Sequence, residues 1–229
     1  LPVANVSNGS GGPIGLVETS STQGLTYRIN APQPEAGVAR GLLVMLHGSG
    51  ASNYAEFMTL MDSVATENDL ILVSVLAPNG QGWNENGDNA QTQAANLLGD
   101  LVQTDLYSQY NIDKSRVLFS GQSSGGGFLG SHFVPLQAKN FQGGALLQCG
   151  AAPPTQSVSF APDIATTEAF RLHFEITTGD TIWPESYDKA LTAYSEAGMT
   201  LTSNNTKPGG HCRFDQSQVV RDHIASLLP

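Results

Sequence analysis

Residues 116–127 read RVLFSGQSSGGG and decide the fold of this 229-residue chain. The stretch opens with an apolar run, RVLFS, of the kind found in strands that are buried on both faces of a parallel sheet. Gly121, Ser123 and Gly125 then form a G-x-S-x-G pattern, and residues 124–136 favour a helix. The sequence therefore predicts a sharp turn between a central strand and a helix, with Ser123 at its apex.

Outside this stretch, apolar strands alternate with helices. Further strands are predicted at residues 41–46, 70–76, 144–148, 172–177 and 200–202. Further helices are predicted at residues 54–67, 91–110, 185–197 and 215–228. Such alternation is typical of βαβ units, so we expect an α/β fold with a mostly parallel central sheet and helices on both of its faces.

The flanking and connecting segments set the domain organisation. Residues 1–15 are rich in Gly, Ser and Asn and predict an extended arm, and residues 16–20 and 25–31 predict an N-terminal hairpin. No linker divides the rest, so we expect residues 1–229 to form a single domain. The segment between the strands at 144–148 and 172–177 is too short for a large lid domain, which favours an open site.

Composition excludes several classes of function. The formal net charge is −10, and no basic cluster offers a footprint for nucleic acid. No apolar run approaches the ~20 residues of a membrane-spanning helix, so we expect no membrane insertion. Only 13% of the residues are charged, against a usual ~25%, which together with the start at Leu1 favours a secreted or periplasmic mature chain. We expect a monomer.

The G-x-S-x-G turn points to nucleophilic chemistry. A serine on a strained strand-to-helix turn exposes its hydroxyl, and glycine is needed on either side because neighbouring backbone lies close. Ser124 is the competing nucleophile, but only Ser123 has glycine both two residues before it and two residues after it. We therefore predict Ser123 as the nucleophile.

The general base is predicted at His211. Sites of this type follow the chain order serine, acid, histidine, which leaves His211 and His223 as C-terminal candidates. His223 lies within a predicted helix, whereas two glycines before His211 let its loop bring the imidazole to Ser123.

The acid is predicted at Asp180, in the turn after the strand at 172–177. Its carboxylate would accept the Nδ1 proton of His211 and fix the tautomer of the imidazole. The alternative role for Asp180 is an N-cap for the helix that begins near Pro184. The weaker alternatives for the acid are Asp163, Glu185 and Asp188.

A serine nucleophile also needs N–H donors for the negative oxygen that forms during acyl transfer. One donor is expected from the backbone of Ser124, and the other from Ser49 in the Gly-rich loop after the strand at 41–46, with Gly50 as the second choice. His47 precedes this loop and is expected to brace it by hydrogen bonds. No clustered metal-ligand spacing accompanies these residues, so neither a metal nor a cofactor is predicted.

These residues resemble the serine esterases of the α/β-hydrolase superfamily over nearly the whole chain. More narrowly, five short stretches resemble secreted polyhydroxybutyrate depolymerases and feruloyl esterases of the carbohydrate-esterase type. They are YNID at 110–113, RV at 116–117, GQSSGG at 121–126, GWN at 82–84 and GGH at 209–211. The resemblance implies cofactor-free hydrolysis of a small-molecule or polymeric ester, either a polyhydroxybutyrate-like polyester or a short-chain or phenolic ester. A serine peptidase, an acyltransferase and a non-catalytic binding module on the same fold are the alternatives.

The two cysteines are interpreted through the same resemblance. Some fungal-type tannases and feruloyl esterases link a cysteine beside the nucleophile to one beside the histidine. Here Cys212 lies beside His211, but Gln122 and Ser124 flank the serine, so Cys149 at the end of the next strand is the expected partner.

Two tryptophans lie on loops near the predicted site. Trp83 and Trp183 are candidates for stacking on an aromatic acyl group or packing against a polyester chain. Ordinary packing within the loops is the alternative for each.

Overall fold

The computed structural model of the protein describes residues 5–84 and 87–228. Within these two ranges, eight strands form one sheet in the order β1-β2-β4-β3-β5-β6-β7-β8. The strands are β1 (Gly15–Ser20), β2 (Thr26–Ala31), β3 (Arg40–Leu46), β4 (Leu70–Val75), β5 (Ile112–Gln122), β6 (Gly143–Gln148), β7 (Phe170–Thr177) and β8 (Leu201–Lys207). β1, β2 and β4 pair antiparallel, and every pairing from β4 to β8 is parallel. The mostly parallel sheet and the N-terminal hairpin are therefore confirmed.

The helices lie where the sequence predicts them, with three differences. They are α1 (Phe57–Leu60), α2 (Asp62–Glu67), α3 (Gly87–Asp100), α4 (Tyr107–Gln109), α5 (Ser124–Phe128), α6 (Val134–Gln137), α7 (Ile164–Ala169), α8 (Pro184–Glu196) and α9 (Gln216–Leu227). The helix predicted at 54–67 is divided at Met61, and π-helical segments at Leu101–Leu106 and Leu129–Phe133 continue α3 and α5. The short α7 is absent from the sequence prediction because six residues carry too little periodicity.

Alternate residues of the central strands bury into two separate cores, one on each face of the sheet. Leu42 and Val44 of β3 pack into the core that includes α3, α5 and α8, whereas Leu43 and Met45 pack into the core that includes α1, α2 and α9. This is the two-residue period of a strand with both faces covered, and it explains why these strands are apolar throughout.

The N-terminal arm is held against the start of β5. The Ser7 amide donates to the Ile112 carbonyl at 3.0 Å, and the Tyr110 hydroxyl donates to the Pro13 carbonyl at 2.8 Å. The arm is therefore attached to the rest of the fold through Ser7 and Pro13, and the part of it at residues 1–4 lies outside the described residues.

The loops that follow the carboxyl ends of the parallel strands gather at one edge of the sheet, where ligands bind in open α/β folds. The connection between β6 and β7 contains α7 and builds no further layer over this edge. Within the described residues, none of the helices has both the length and the apolar character needed to cross a membrane.

Candidate active site

Ser123 occupies the turn between β5 and α5 in a strained backbone conformation. Its φ is 50° and its ψ is −113°, a combination that costs about 1–3 kcal/mol for a residue with a side chain. The amide of Ser123 donates to the Gln148 carbonyl at 2.8 Å, and its carbonyl accepts from the Gly127 amide at 2.9 Å. These bonds to β6 and α5 hold the strained turn in place.

Two glycines permit this turn by allowing close backbone approach. A Cβ on Gly121 would lie 2.5 Å from the carbonyl group of Gly125, and a Cβ on Gly125 would lie 2.6 Å from the Leu46 carbonyl oxygen. Neither distance is available to a side chain, since the obstructing atoms belong to the backbone. The glycines two residues before and after Ser123 are therefore steric requirements of the turn.

Ser123, His211 and Asp180 form a continuous chain of hydrogen bonds. Ser123 Oγ lies 2.9 Å from His211 Nε2, and His211 Nδ1 lies 2.7 Å from Asp180 Oδ2. An ionised carboxylate accepts but does not donate, so Asp180 fixes the proton on Nδ1 and leaves Nε2 to accept from the serine. Asp180 is only 5% exposed, whereas Ser123 and His211 are half-buried and reach the surface.

The loop that carries His211 is tied to two neighbouring strands. The Thr177 hydroxyl at the end of β7 donates to the Gly210 carbonyl at 3.0 Å. Cys212 forms a disulfide with Cys149, the residue after β6, with a Cα–Cα distance of 5.1 Å. The predicted pairing of the two cysteines is thus confirmed, and His211 sits between two anchored points.

Comparison with solved structures finds the same architecture in several proteins. A carboxylesterase from Mesorhizobium loti matches with a TM-score of 0.69 and 19% identity over 91% of this chain and 98% of that chain. The Bacillus cereus carboxylesterase matches with a TM-score of 0.67 and 16% identity over 89% and 95%. A ferulic acid esterase matches with a TM-score of 0.64 and 13% identity over 96% and 98%. No protein-family model matches the chain, and its sequence has no significant match among the curated proteins.

The chain has the α/β-hydrolase fold. The fold class expected from the G-x-S-x-G turn and from the alternation of strands and helices is confirmed. At these identities the similarity concerns the fold alone, so the roles of individual residues rest on the geometry of this chain.

Ser124 and the other candidate acids take no part in the hydrogen-bonded chain. Ser124 is the first residue of α5, and its buried hydroxyl has no hydrogen-bond partner among the described residues. Asp163 caps α7, and Glu185 pairs with Lys189 on the exposed face of α8. Asp188 lies exposed on α8.

Asp180 contacts His211 as predicted and also organises the turn before α8, although it is not the N-cap of that helix. Its Oδ2 meets His211, while its Oδ1 accepts from the backbone amides of Ile182 at 2.8 Å and Trp183 at 3.2 Å. The N-cap position of α8 belongs to Trp183, which makes no side-chain capping bond. Asp180 therefore organises the turn before α8 with one oxygen and orients His211 with the other.

The predicted oxyanion donors Ser49 and Ser124 both line the cleft. A Cβ on Gly48 would lie 3.5 Å from Ser123 Cβ, so the loop after β3 runs directly beside the turn. Ser49 begins a 3₁₀ segment in that loop, and Ser124 begins α5, where the first amides have no partner within the helix. Gly50 adopts a φ of 69° in the same loop but does not line the cleft.

His47 braces this loop, as predicted. Its Nε2 accepts from the Ala77 amide at 3.0 Å, and its Nδ1 lies 2.6 Å from the Gly48 carbonyl oxygen. Because Nε2 accepts, the proton resides on Nδ1 and is donated to Gly48. The fully buried imidazole thus links the loops after β3 and β4.

A cleft of about 490 Å³ opens onto Ser123. Its lining residues are Ser49, Ser52, Asn84, Gln122, Ser123, Ser124, Ile182, Trp183, His211 and Cys212. Of the two tryptophans proposed for substrate binding, the structure brings only Trp183 to this cleft. Trp83 is 2% exposed and stacks on Phe128 with ring centroids 4.8 Å apart. For Trp83 the packing alternative is therefore correct, because the loop after β4 turns its ring into the core.

Sequence reasoning missed four cleft residues, Ser52, Asn84, Gln122 and Ile182. Ile182 is 64% exposed at the edge of the cleft, an unusual position for an aliphatic side chain. Its place between Asp180 and Trp183 was the available signal. Asn84 also lines the cleft, and its buried Oδ1 has no partner among the described residues.

The sulfur atoms near His211 do not supply a metal site. Cys149, Cys212 and His211 lie close enough together to surround an ion. Both sulfurs are joined in the disulfide, whereas zinc and similar metals bind the thiolate. The contact between Ser123 Oγ and His211 Nε2 is the arrangement that nucleophilic attack by a serine with a histidine base requires.

Proposed function

We propose that this protein is a secreted serine hydrolase of carboxylic esters that works through an acyl-enzyme. The observation that carries the proposal is the hydrogen-bonded chain from Ser123 through His211 to the buried Asp180. Esterases among the structurally similar proteins support it. The strained serine turn supports it independently, because strain at an exposed nucleophile is a hallmark of this type of site.

In the first half of the reaction, Ser123 Oγ attacks the ester carbonyl carbon while His211 Nε2 takes the hydroxyl proton. The carbonyl oxygen becomes negative and is stabilised by the backbone amides of Ser49 and Ser124, each worth roughly 3–4 kcal/mol of barrier. Asp180 stabilises the imidazolium that forms. When the carbonyl re-forms, the bond to the alcohol oxygen breaks, and His211 returns the proton to the departing alcohol.

In the second half, water replaces the alcohol. His211 Nε2 takes a proton from water as the water oxygen attacks the acyl carbon. The bond to Ser123 Oγ then breaks, the proton passes to the serine, and the carboxylic acid leaves. The open cleft admits this water without a conformational step.

The cleft favours an ester with an apolar or aromatic part. Ile182 and Trp183 present apolar surface beside Ser123, and the absence of a covering layer among the described residues suits a chain that extends beyond the cleft. We infer that the substrate is a polyhydroxybutyrate-like polyester or a short-chain or phenolic ester. The disulfide supports secretion, since such bonds persist in oxidising compartments.

The test is hydrolysis of p-nitrophenyl acetate, butyrate and octanoate and of methyl ferulate by the wild type, Ser123→Ala and Ser124→Ala. We expect Ser123→Ala to lose at least ~10³-fold in kcat/KM. Ser124→Ala is the matched control, because it keeps the backbone amide and removes a neighbouring hydroxyl. Its activity should stay within a few-fold of the wild type, and the chain-length profile selects the substrate class.

The alternatives predict different results. A peptidase would cleave peptide substrates and leave these esters largely intact, and an acyltransferase would favour an added alcohol over water. A binding module would fail to react with a fluorophosphonate probe. Any of these outcomes overturns the proposal, as does equal activity of Ser123→Ala and the wild type.

A further inference from the structure

A second cluster of histidines and a carboxylate lies beneath the active site, between β7 and α9. Leu172 and Phe174 of β7 face one core, so His173 and Glu175 face the other side of the sheet, where His223 projects from α9. Glu175 is fully buried and His173 is 1% exposed. Burying a carboxylate is costly unless it is paired, and Glu175 forms an ion pair with Lys207.

The two oxygens of Glu175 have different neighbours. Oε1 lies 3.1 Å from Asn204 Nδ2 and 3.3 Å from Lys207 Nζ, both on β8. Oε2 lies 3.2 Å from His173 Nε2 and 3.9 Å from His223 Nε2, with Asn204 Nδ2 at 3.3 Å. One carboxylate oxygen is therefore directed at two imidazole nitrogens, while the other is held by β8.

The imidazoles are oriented in the way that metal-binding histidines are. His173 Nδ1 lies 2.7 Å from the Thr202 hydroxyl, which fixes the ring with Nε2 towards Glu175. The rings of His173 and His223 stack with centroids 3.5 Å apart and planes 19° apart, and the Nε2 atoms of both rings face Glu175 Oε2. The three candidate ligand atoms all lie within 4.8 Å of one another.

We propose that His173, Glu175 and His223 bind one Zn²⁺ ion. Zinc bonds of about 2.0–2.2 Å place the atoms of a tetrahedral set roughly 3.3 Å apart. The distances from Glu175 Oε2 to the two Nε2 atoms, 3.2 Å and 3.9 Å, are near this value. Coordination by both rings also requires His223 to turn out of the stack, because each imidazole binds an ion in its own ring plane. Two imidazoles and one carboxylate suit zinc, whereas calcium and magnesium require more oxygen ligands.

Access to the site comes from the side of α9. The His223 side chain is 25% exposed, so this side of the cluster is in contact with solvent. The ion would cross-link β7 to α9. The carbonyl of Glu175 accepts from the Cys149 amide at 2.7 Å, and β7 leads directly to Asp180. The role that this position assigns to zinc is structural support of the strand that presents the acid.

Lys207 provides a specific test of the electrostatics. Its ammonium competes with the metal for the same carboxylate, but its side chain is 32% exposed and can turn outward. We therefore expect Lys207→Met to bind zinc more tightly than the wild type. A cluster that is only a hydrogen-bonded network would show no such gain.

The experiment is zinc titration of chelator-treated protein against a chromophoric zinc indicator, with the melting temperature measured in parallel. We expect one zinc per chain in the wild type, binding at least ~10-fold weaker in His223→Ala, and a rise in melting temperature with zinc only where the site is intact. His211→Ala is the matched control, because it removes a histidine that faces a carboxylate outside the cluster, and it should bind zinc as the wild type does.

Several results overturn the proposal. These are no binding to the wild type at micromolar zinc, equal binding by the wild type and His223→Ala, and loss of binding in His211→Ala alone. If His223→Ala does not fold, Thr202→Val replaces it, since removal of the bond to His173 should weaken binding about 10–100-fold. Because the readout is binding, the result is independent of esterase activity.

Discussion

At the scale of single residues, the division of work between the two oxygens of Asp180 is the central feature of the site. Oδ2 orients His211, and Oδ1 holds the amides of Ile182 and Trp183. A substitution that removes the negative charge but keeps one carbonyl oxygen separates these two tasks.

Asp180→Asn is expected to lower kcat by about 10³–10⁴-fold, because the amide cannot stabilise the imidazolium or fix the tautomer as a carboxylate does. Its carbonyl oxygen can still accept from the backbone, so the melting temperature should change little. Steady-state kinetics on p-nitrophenyl butyrate checks the first expectation and thermal unfolding the second. Asp188→Asn on α8 is the control, and a loss below 10-fold in Asp180→Asn would contradict the assignment.

The two tryptophans form a matched pair with opposite expectations. Trp183→Ala should raise KM for methyl ferulate more than for p-nitrophenyl acetate, since Trp183 lines the cleft. Trp83→Ala should lower the free energy of unfolding by about 3–5 kcal/mol, because it empties a core position against Phe128. Steady-state kinetics and urea unfolding of both variants distinguish a role in substrate binding from a role in packing. The reverse pattern would mean that the two side chains have been assigned the wrong roles.

At the scale of elements, the loop after β8 depends on the strands beside it. His211 is placed by the disulfide to the end of β6 and by the hydroxyl of Thr177 at the end of β7. Sequence order separates Cys149 and Cys212 by 63 residues, so their link also restricts the unfolded chain.

The double variant Cys149→Ala/Cys212→Ala is expected to lose about 2–4 kcal/mol of unfolding free energy. Its kcat should also fall, because His211 loses one of its two anchored neighbours, while the Thr177 bond keeps part of the geometry. Urea unfolding and kinetics at 25 °C measure the two effects. Unchanged stability and unchanged kcat together would show that the disulfide has no part in supporting the site.

At the scale of the whole molecule, stability depends on histidines that are buried without charge. His132 in the segment after α5 is 1% exposed, with its Nδ1 2.8 Å from the Ser131 hydroxyl and its Nε2 3.7 Å from Asp88 Oδ1. Burial lowers the pKa of His132 below its ordinary value, and Asp88 offsets only part of this effect.

The sign of the pH dependence follows from that pKa. Below about pH 6.5 the unfolded chain takes up a proton at His132 that the folded protein resists. The contribution of His132 to the free energy of unfolding is therefore fully present above this pH and is lost as the pH is lowered through it. His132→Gln should reduce the decrease in unfolding free energy between pH 7.5 and pH 5, measured by urea unfolding. His223, whose pKa is lowered by burial and then by His173, should keep its own share of the decrease in the variant. An equal decrease in the free energy of unfolding between pH 7.5 and pH 5 in the wild type and in His132→Gln would contradict the expectation.

The extent to which the site could be predicted differs from residue to residue. The place of Ser123 could be predicted because the apolar run, the two glycines and the following helix are neighbours in sequence, and local sterics alone enforce the turn. Asp180 and His211 could be predicted from their order in the chain and from their positions in loops that follow predicted strands. The burial of Trp83 could not be predicted, since a loop sequence has no periodicity that tells whether a side chain turns into the core or outward.

The sequence by itself determined the α/β class, the alternation of strands and helices along the chain and the turn at Ser123, because hydrophobic period and glycine sterics act within a few residues. The tertiary structure alone decided the two roles of Asp180, the burial of Trp83, the exposure of Ile182 and the meeting of His173, Glu175 and His223. These features depend on how β7, β8 and α9 pack together. Contacts between residues distant in the chain are set by that packing, and no local pattern records them.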